Sequence, residues 1–447
     1  MFAPRSRFAG LLAAGSAATV AVVGLLPAAV SAAAPAAPVD TGGLGAVGSL
    51  SSTEVHEISV VADPAEIEAA IATFRDTGDK EWVLATVTID GESYDDVGIR
   101  LKGNSSLRDV SAVADPATLP WLIDLDREIA GQHHDGLVEM VVRSSTTSTG
   151  MNEAVALELL EAAGLASQDA IASSFSVNGG DPVLRLVIDN PDDAWMNEEL
   201  GEGALYKAES TGDWSYRGDD PGAYDDVFDQ EAGDDVADLT PLIEFLQFIN
   251  ESDDASFEAE LPDRLDVDGF ATYLAMQELL ANFDDIDGPG NNAYLFWDPV
   301  VERFTIVAWG HNLALGASMG GGGGGRDGGA ADGRPRTGGT DGAPGGVGGP
   351  PGDLGGPPGD MGGAPGEGDR GGGLDGRSNV LVERFLAVET WNARYQDKLT
   401  ELRAELVEGG TAAEVVTAWS EVMASSGLAS NATISAEAAS IIATLGA

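Results

Sequence analysis

The chain contains no cysteine. That rules out disulfides, thiolate metal sites, a cysteine nucleophile and a lipid-attachment cysteine. Stability must then come from an apolar core, and 43% hydrophobic residues in 447 is enough for one. Basic residues are scarce, with 23 Lys and Arg against 74 Asp and Glu and a formal net charge of −51. This argues against nucleic acid as a partner, because phosphate contacts need clustered Lys and Arg. It argues equally against attraction to anionic lipid surfaces. Metal cations and basic polypeptides are the partners such a charge favours. Past the first 32 residues no segment is long and apolar enough to span a bilayer.

The N-terminus reads as a secretory signal over residues 1–32. Arg5 and Arg7 precede the apolar run LLAAGSAATVAVVGLL, and the small residues of VSAAAPAAP suit a signal peptidase. The run ends early and lacks a basic stop, so the expectation is cleavage, no remaining membrane span, and a secreted or cell-envelope location. Residues 33–55 are rich in Ala, Pro, Gly and Ser and read as a linker. Residues 320–376 are dominated by Gly with Pro and Asp, contain PPGDLGG and PPGDMGG, and lack the strict Gly-X-Y period of collagen. Such a segment buries too little apolar area to order itself, which predicts a disordered insertion.

Between these lie folded segments. EWVLATVTID turns at Asp90-Gly91 and returns as YDDVGIRLKG, a hairpin by its alternation and its turn residues. A helix is expected over about Asn152–Ala163, closed by Gly164. A second hairpin turns at Asn178-Gly179-Gly180. Strands, helix and strands again predict a small strand-rich lobe over 56–190, in an α+β chain. DLTPLIEFLQFINES and DVDGFATYLAMQELLANF are amphipathic helical patterns, the second capped by Asp268. They open a larger helical lobe over 191–319, which resumes after the insertion over 377–447.

Three stretches carry candidate chemistry. Arg100 and Lys102 end the first hairpin and share one face of the strand, since side chains alternate. A strand Lys can hold nucleotide phosphates when a Glu on the next helix orients it; Glu153 is the candidate and Glu158 the reserve. The following Gly103-Asn104-Ser105-Ser106 offers a tight turn with hydroxyls and amides for phosphate oxygens. Second, NFDDIDGPGNN crowds Asp284, Asp285 and Asp287 into one loop, which favours a bound cation. An EF-hand does not fit: aligning Gly288 with its invariant glycine puts Phe283 and Tyr294 where Asp and Glu are required. A solvated acidic turn is the bland alternative. Third, Asn292 leads into AYLFWDPVVERFTIVAW, a hairpin that should bring Asn292 near position 310. Transfer of a phosphoryl group needs a carboxylate to orient the hydroxyl, here Asp284 or Asp287, an Asn on the metal, and a metal carboxylate one hairpin later. At that last position stands Gly310, which has no ligand atom; His311 prefers softer ions, and Asn312 is a neutral oxygen ligand. His133-His134 reads as an exposed loop pair, and Trp195, Trp214 and Tyr216 as packing or cleft aromatics with Arg217 and Lys207 nearby.

Taken together, VGIRLKGNSS, RSSTTSTGMNEAVALELLEAAGL, FSVNGG, GALYKAE, NFDDIDGPGNNAYLFWD, AWGHNLALG and NVLVERFLAV resemble the spore-coat CotH family of atypical secreted protein kinases, from His56 to the C-terminus. The resemblance implies a bilobal kinase-like fold and transfer of the ATP γ-phosphoryl to protein Ser or Thr, with Mg or Mn. It gives Lys102 the phosphate position, which the residue reading surrounds with Arg100, Asn104 and Ser105, and Glu153 the helix partner's position. Asp284 becomes the catalytic acid, and Asn292 the metal-side Asn; Asp287 and Asn312 are the further metal candidates that the residues themselves offer in place of the missing carboxylate. The family's tetrad usually begins Trp-Asp, so Trp309-Gly310-His311-Asn312 departs from it. Asp189 stands where the family more usually has Glu. The expected substrate is a basic, Ser/Thr-rich protein and the expected state a monomer. The alternatives are a pseudokinase, kept for nucleotide binding or as a structural envelope or coat component, and a calcium-stabilised surface protein.

Overall fold

The computed structural model describes residues 46–317 and 379–446, apart from 49, 104, 108, 109, 112, 113 and 211. The expected signal, the first part of the linker and the glycine-rich insertion lie outside the described residues.

Seven strands close into a barrel: β1 (Val55–Ala62), β2 (Val83–Ile89), β3 (Glu92–Leu101), β4 (Trp121–Asp124), β5 (Glu139–Val142), β6 (Ala170–Val177) and β7 (Val183–Asp189). Their order is β1-β2-β3-β4-β5-β7-β6, and a parallel pairing of β1 with β6 completes the ring. Both expected hairpins are present, as β2–β3 and β6–β7, because Asp90 and Asn178 adopt the positive φ their turns need. Ile58, Val60, Val87, Ile89, Ile99 and Ile123 fill the interior. Helix α1 (Pro64–Thr77), capped by Asp63, lays Ile67, Ala70 and Ile71 against the barrel. Folded structure starts earlier than the linker reading allowed: Ala46–Val47 pairs with Leu50–Ser51, and Val47 and Leu50 are buried in the same core.

Helix α2 (Met151–Ala162) is not an appendage of the strand-rich part. Met151 to Leu157, Leu159 and Leu160 are all buried, so it is apolar nearly all round and serves a second core. That core runs past α3 (Asp193–Glu199) into a four-stranded sheet of β8 (Ala204–Ala208), β9 (Phe228–Ala232), β10 (Ala293–Asp298) and β11 (Arg303–Ala308), in the order β9-β8-β10-β11. Around it pack α4 (Thr240–Glu251), α5 (Asp254–Glu260) and α6 (Val267–Leu279), followed by α7 (Val380–Ala387), α8 (Glu389–Leu402), α9 (Thr411–Ser425) and α10 (Asn431–Leu445). α9 lies on α2, so the last helices complete a core begun far earlier in the chain. The cap of α6 is Asp266, which accepts from Gly269 N, and not Asp268; Asp268 sits in the first turn and pairs with Arg394. Among the described residues no helix is long and apolar enough to cross a membrane.

Candidate functional site

A cleft of about 520 Å³ opens where the end of β3, the segment after β5, the edge formed by β8 and β9, and the loop 284–292 converge. Its volume is of the size that takes a small ligand. Five cations line it: Lys80, Arg100, Lys102, Arg143 and Lys207. In a chain with only 23 basic residues this is a local concentration of cations, set against four carboxylates of the same lining, Glu209, Asp229, Glu231 and Asp284. The like charges oppose one another. Burial, then Lys207 and Arg100, hold the Lys80 ammonium below its ordinary value, and burial brings Lys102 down to about 8. Glu209, Asp229 and Glu231 line the opposite edge, and Lys207 is ion-paired to Glu209. Arg143 and Lys102 both lie over the Trp309 ring, at 5.3 and 5.9 Å, so the indole floors the cationic wall.

The expected partnership of Lys102 with Glu153 is not formed. Glu153, buried in the first turn of α2, accepts from Arg143 Nε at 3.0 Å through each oxygen and from Arg143 Nη2 at 2.5 Å. The planar guanidinium fork matches a carboxylate in a way an ammonium cannot, and Arg143 stands at the end of β5 facing α2. Lys102 Nζ instead donates to Asn190 Oδ1 at 2.5 Å. Arg100 lies 5.0 Å from the Trp82 ring, and its Nε is buried without a hydrogen-bond partner. Asn104 lies outside the described residues, and Ser105 is described by its backbone, in a short helical turn Ser105–Leu107.

Asp284 is buried on the cleft wall, where Gly290 N donates to its Oδ1 at 2.5 Å. Gly290 must be glycine: a Cβ there would lie 2.5 Å from Asp284 Oδ1 and 2.7 Å from Asn292 Nδ2. Asn292 donates to Asp284 O at 2.7 Å, tying the loop's ends together. The β10–β11 register, Ala293 opposite Ala308, sets Asn292 beside Gly310. Gly310 has φ +79°, and a Cβ on it would meet Asn292 Cγ and Nδ2 at 2.6 Å. The missing carboxylate thus goes with a backbone turn into which the Asn292 side chain has moved close. Asn312 lines the cleft and accepts from Arg143 Nη2 at 3.3 Å. Asp287 does not face the cleft; its Oδ1 accepts from Asn379 N at 2.7 Å, anchoring the start of α7. Asp287 thus has a structural contact at α7 through that oxygen.

Behind this loop Gln277 Oε1 accepts from Asn282 Nδ2 at 2.8 Å and lies 3.2 Å from His311 Nε2. His311 is fully buried; burial, with Arg143 second, holds it down at about 3, so it is neutral. The aromatics of the 195–216 segment divide. Trp195 and Trp214 are buried, with Trp214 Nε1 donating to Asn291 Oδ1 at 2.8 Å, whereas Tyr216 bonds Asp219 and Arg217 pairs with Asp213. His134, read as exposed, is buried against Tyr94, its Nδ1 2.8 Å from the phenol oxygen, while His133 is exposed. Sequence reasoning missed Arg143, Lys80, Asn190 and Gln277. The scarcity of cations was the one usable signal: each Lys or Arg at a strand end in so acidic a chain merited attention.

No group of three or more His, Cys, Asp or Glu side chains among the described residues could hold a metal ion. The donors beside Gly310 are Asp284, Asn292 and Asn312, a set that does not fit an all-protein metal cage. It does fit a magnesium-like ion that takes most of its oxygens from phosphates and water, which needs only one or two carboxylates. The site thus defines a class: a mixed α/β protein with a cleft lined by five cations and one buried carboxylate at its wall. Residues 99–439, most of the chain, match the family model described as CotH kinase protein, and the chain belongs to that kinase-like family. No curated protein matches the chain.

Proposed function

We propose that this protein is an exported phosphotransferase that moves the ATP γ-phosphoryl to a Ser or Thr hydroxyl of a protein substrate. One observation carries the reading: the gathering of five of the chain's scarce cations around a cleft with Asp284 on its wall. In this reading the barrel is the small lobe of a two-lobed kinase-like arrangement. Lys102 and Arg143, with Arg100 beside them, hold phosphate oxygens, Arg143 being fixed by Glu153. Asp284 orients the attacking hydroxyl and takes its proton as the hydroxyl oxygen bonds the γ-phosphorus and the bond from that phosphorus to the β–γ bridging oxygen breaks, with ADP leaving. A bound magnesium or manganese ion would neutralise phosphate charge, and Asp284, Asn292 and Asn312 would hold it. With Gly310 in place of a carboxylate, transfer is expected to be slower by on the order of 10²–10⁴-fold than with a full metal site. The acidic surface suits a basic Ser/Thr-rich substrate, and the N-terminal signal suits export.

The close approach of Asn292 to Gly310 favours a second reading, a pseudokinase that binds nucleotide without transferring phosphate. Both readings require Mg·ATP to stabilise the folded protein, and Lys102→Met, which leaves the Arg143–Glu153 pair intact, should abolish that stabilisation. Thermal unfolding with and without nucleotide measures this. A wild type unmoved by millimolar nucleotide sinks both.

A further inference from the structure

Asn190 connects the cleft to a second cavity. Its Oδ1 accepts from Lys102 Nζ at 2.5 Å and its Nδ2 donates to Glu139 Oε2 at 2.5 Å. Glu139 and Asn190 line a cavity of about 100 Å³, with Asp169, Asp189, Asp192 and Glu199 around it. The three residues arrive from one side of the barrel: Glu139 at the start of β5 and Asn190 just after its neighbour β7, with Lys102 just after β3, one strand further on across β4. A carboxamide is the side chain that can accept from an ammonium at one end and donate to a carboxylate at the other. Asn190 is itself buried, with 5% of its surface exposed, so both of its bonds are made away from water.

We infer that Asn190 and Glu139 are the positioning residues for Lys102, in place of a helix glutamate, and that a change of charge on Glu139 is felt at the Lys102 ammonium. The inference rests on the phosphate-binding reading for its functional meaning, though not for its test. The groups facing Glu139 are Asp124 across the β4–β5 pairing, Asp192 ahead of α3, and Lys102 beyond Asn190. Lys102 in turn faces Glu231, which raises it more than Glu139 does, and Lys207 and Arg100, which lower it. Asp169, Asp189, Glu198 and Glu199 lie around the same cavity. Burial, then Asp124 and Asp192, hold the Glu139 carboxyl up at about 7, close to the value of about 8 at Lys102. Burial thus raises the Glu139 carboxyl and lowers the Lys102 ammonium, so the charge state of each depends on the other. The negative form of Glu139 holds the ammonium in place, and its neutral form releases part of that hold.

The test is the pH dependence of acetylation of Lys102 by acetic anhydride in the full chain, read by peptide mass spectrometry. Wild type is compared with Glu139→Gln, Asn190→Ala and Glu198→Gln, the last an exposed carboxylate of the same cavity that does not touch Asn190. Glu139→Gln is expected to lower the midpoint of Lys102 reactivity by about one pH unit, and Asn190→Ala to lower it as well. Glu198→Gln should leave it near the wild-type value. A midpoint in Glu139→Gln equal to that in Glu198→Gln overturns the inference, and this comparison stands even if Asn190→Ala fails to fold. In parallel, nucleotide affinity at pH 6 and pH 8 should change less in Glu139→Gln than in wild type. A wild type that binds no nucleotide refutes the phosphate reading, while the acetylation midpoints still decide the relay.

Discussion

Gly310→Ala offers the sharpest structural test, because two separable costs meet at one position. The first is conformational. Gly310 sits at φ +79° and ψ 44°, where a Cβ crowds its own carbonyl, at about 1–2 kcal/mol. The second is steric: the new Cβ would lie 2.6 Å from Asn292 Cγ and Nδ2, well inside contact distance. Asn292 must move and give up its bond to Asp284 O, adding about 1–3 kcal/mol of overpacking and lost hydrogen bonding. Gly78 provides the reference. It has φ +87°, closes α1, and an added Cβ there meets nothing within 4 Å. Gly78→Ala should therefore show the conformational cost alone, and Gly310→Ala about 1–3 kcal/mol more in urea unfolding. In an Asn292→Ala background the excess should fall to what the remaining 3.0 Å contact with the residue 292 Cβ leaves, a coupling that a double-mutant cycle reads directly. Equal costs at the two glycines, or an excess undiminished by Asn292→Ala, would refute the geometry. Gly310→Asp carries the same Cβ, so restoring the carboxylate alone should not restore a metal site.

Glu153→Gln weakens a buried, bidentate pair with Arg143 and should destabilise the fold by about 3–5 kcal/mol; a loss under about 1 kcal/mol in urea unfolding would contradict it. His311, held down at about 3 when folded against 6.5 as the ordinary value, makes the unfolded chain bind more protons between those limits. Its contribution to stability is present above about pH 6.5 and is lost as pH falls towards 3, at about 1.4 kcal/mol per pH unit. The stability difference between wild type and His311→Asn should shrink across that window, and parallel curves would refute it. Asp287→Ala removes the acceptor for Asn379 N and should cost about 1–2 kcal/mol, with faster amide exchange at the start of α7. Unchanged exchange at Leu381 and Val382 would contradict that role.

What could be read from the sequence was local. Asp-Gly and Asn-Gly-Gly turns fixed two barrel hairpins, and the Asp-rich loop closed by Gly-Pro-Gly announced the cleft wall, because those signals act within a few residues. Closure of the barrel was not legible, since it depends on a parallel pairing of β1 with β6 from distant parts of the chain. The Glu153 pairing failed for a related reason. A strand Lys and an Arg at a strand end look alike in sequence, and only the fold brings Arg143 to α2. Asp287 was indistinguishable from its neighbours by composition. Its orientation is set by Asn379, which returns only after the long glycine-rich stretch. The cap of α6 slipped by two residues because Asp266 and Asp268 are chemically equivalent until Gly269 N chooses one.

The central claim is that Asp284 serves phosphoryl transfer in a cation-lined cleft. Transfer of γ-labelled phosphate to a basic Ser-rich peptide, with Mg or Mn, tests it most directly when wild type and Asp284→Asn are compared at equal nucleotide occupancy. The account predicts slow label transfer by wild type and none by Asp284→Asn, even with each protein saturated by nucleotide. Equal transfer by the two proteins, or a nucleotide-bound wild type that transfers nothing, would contradict it.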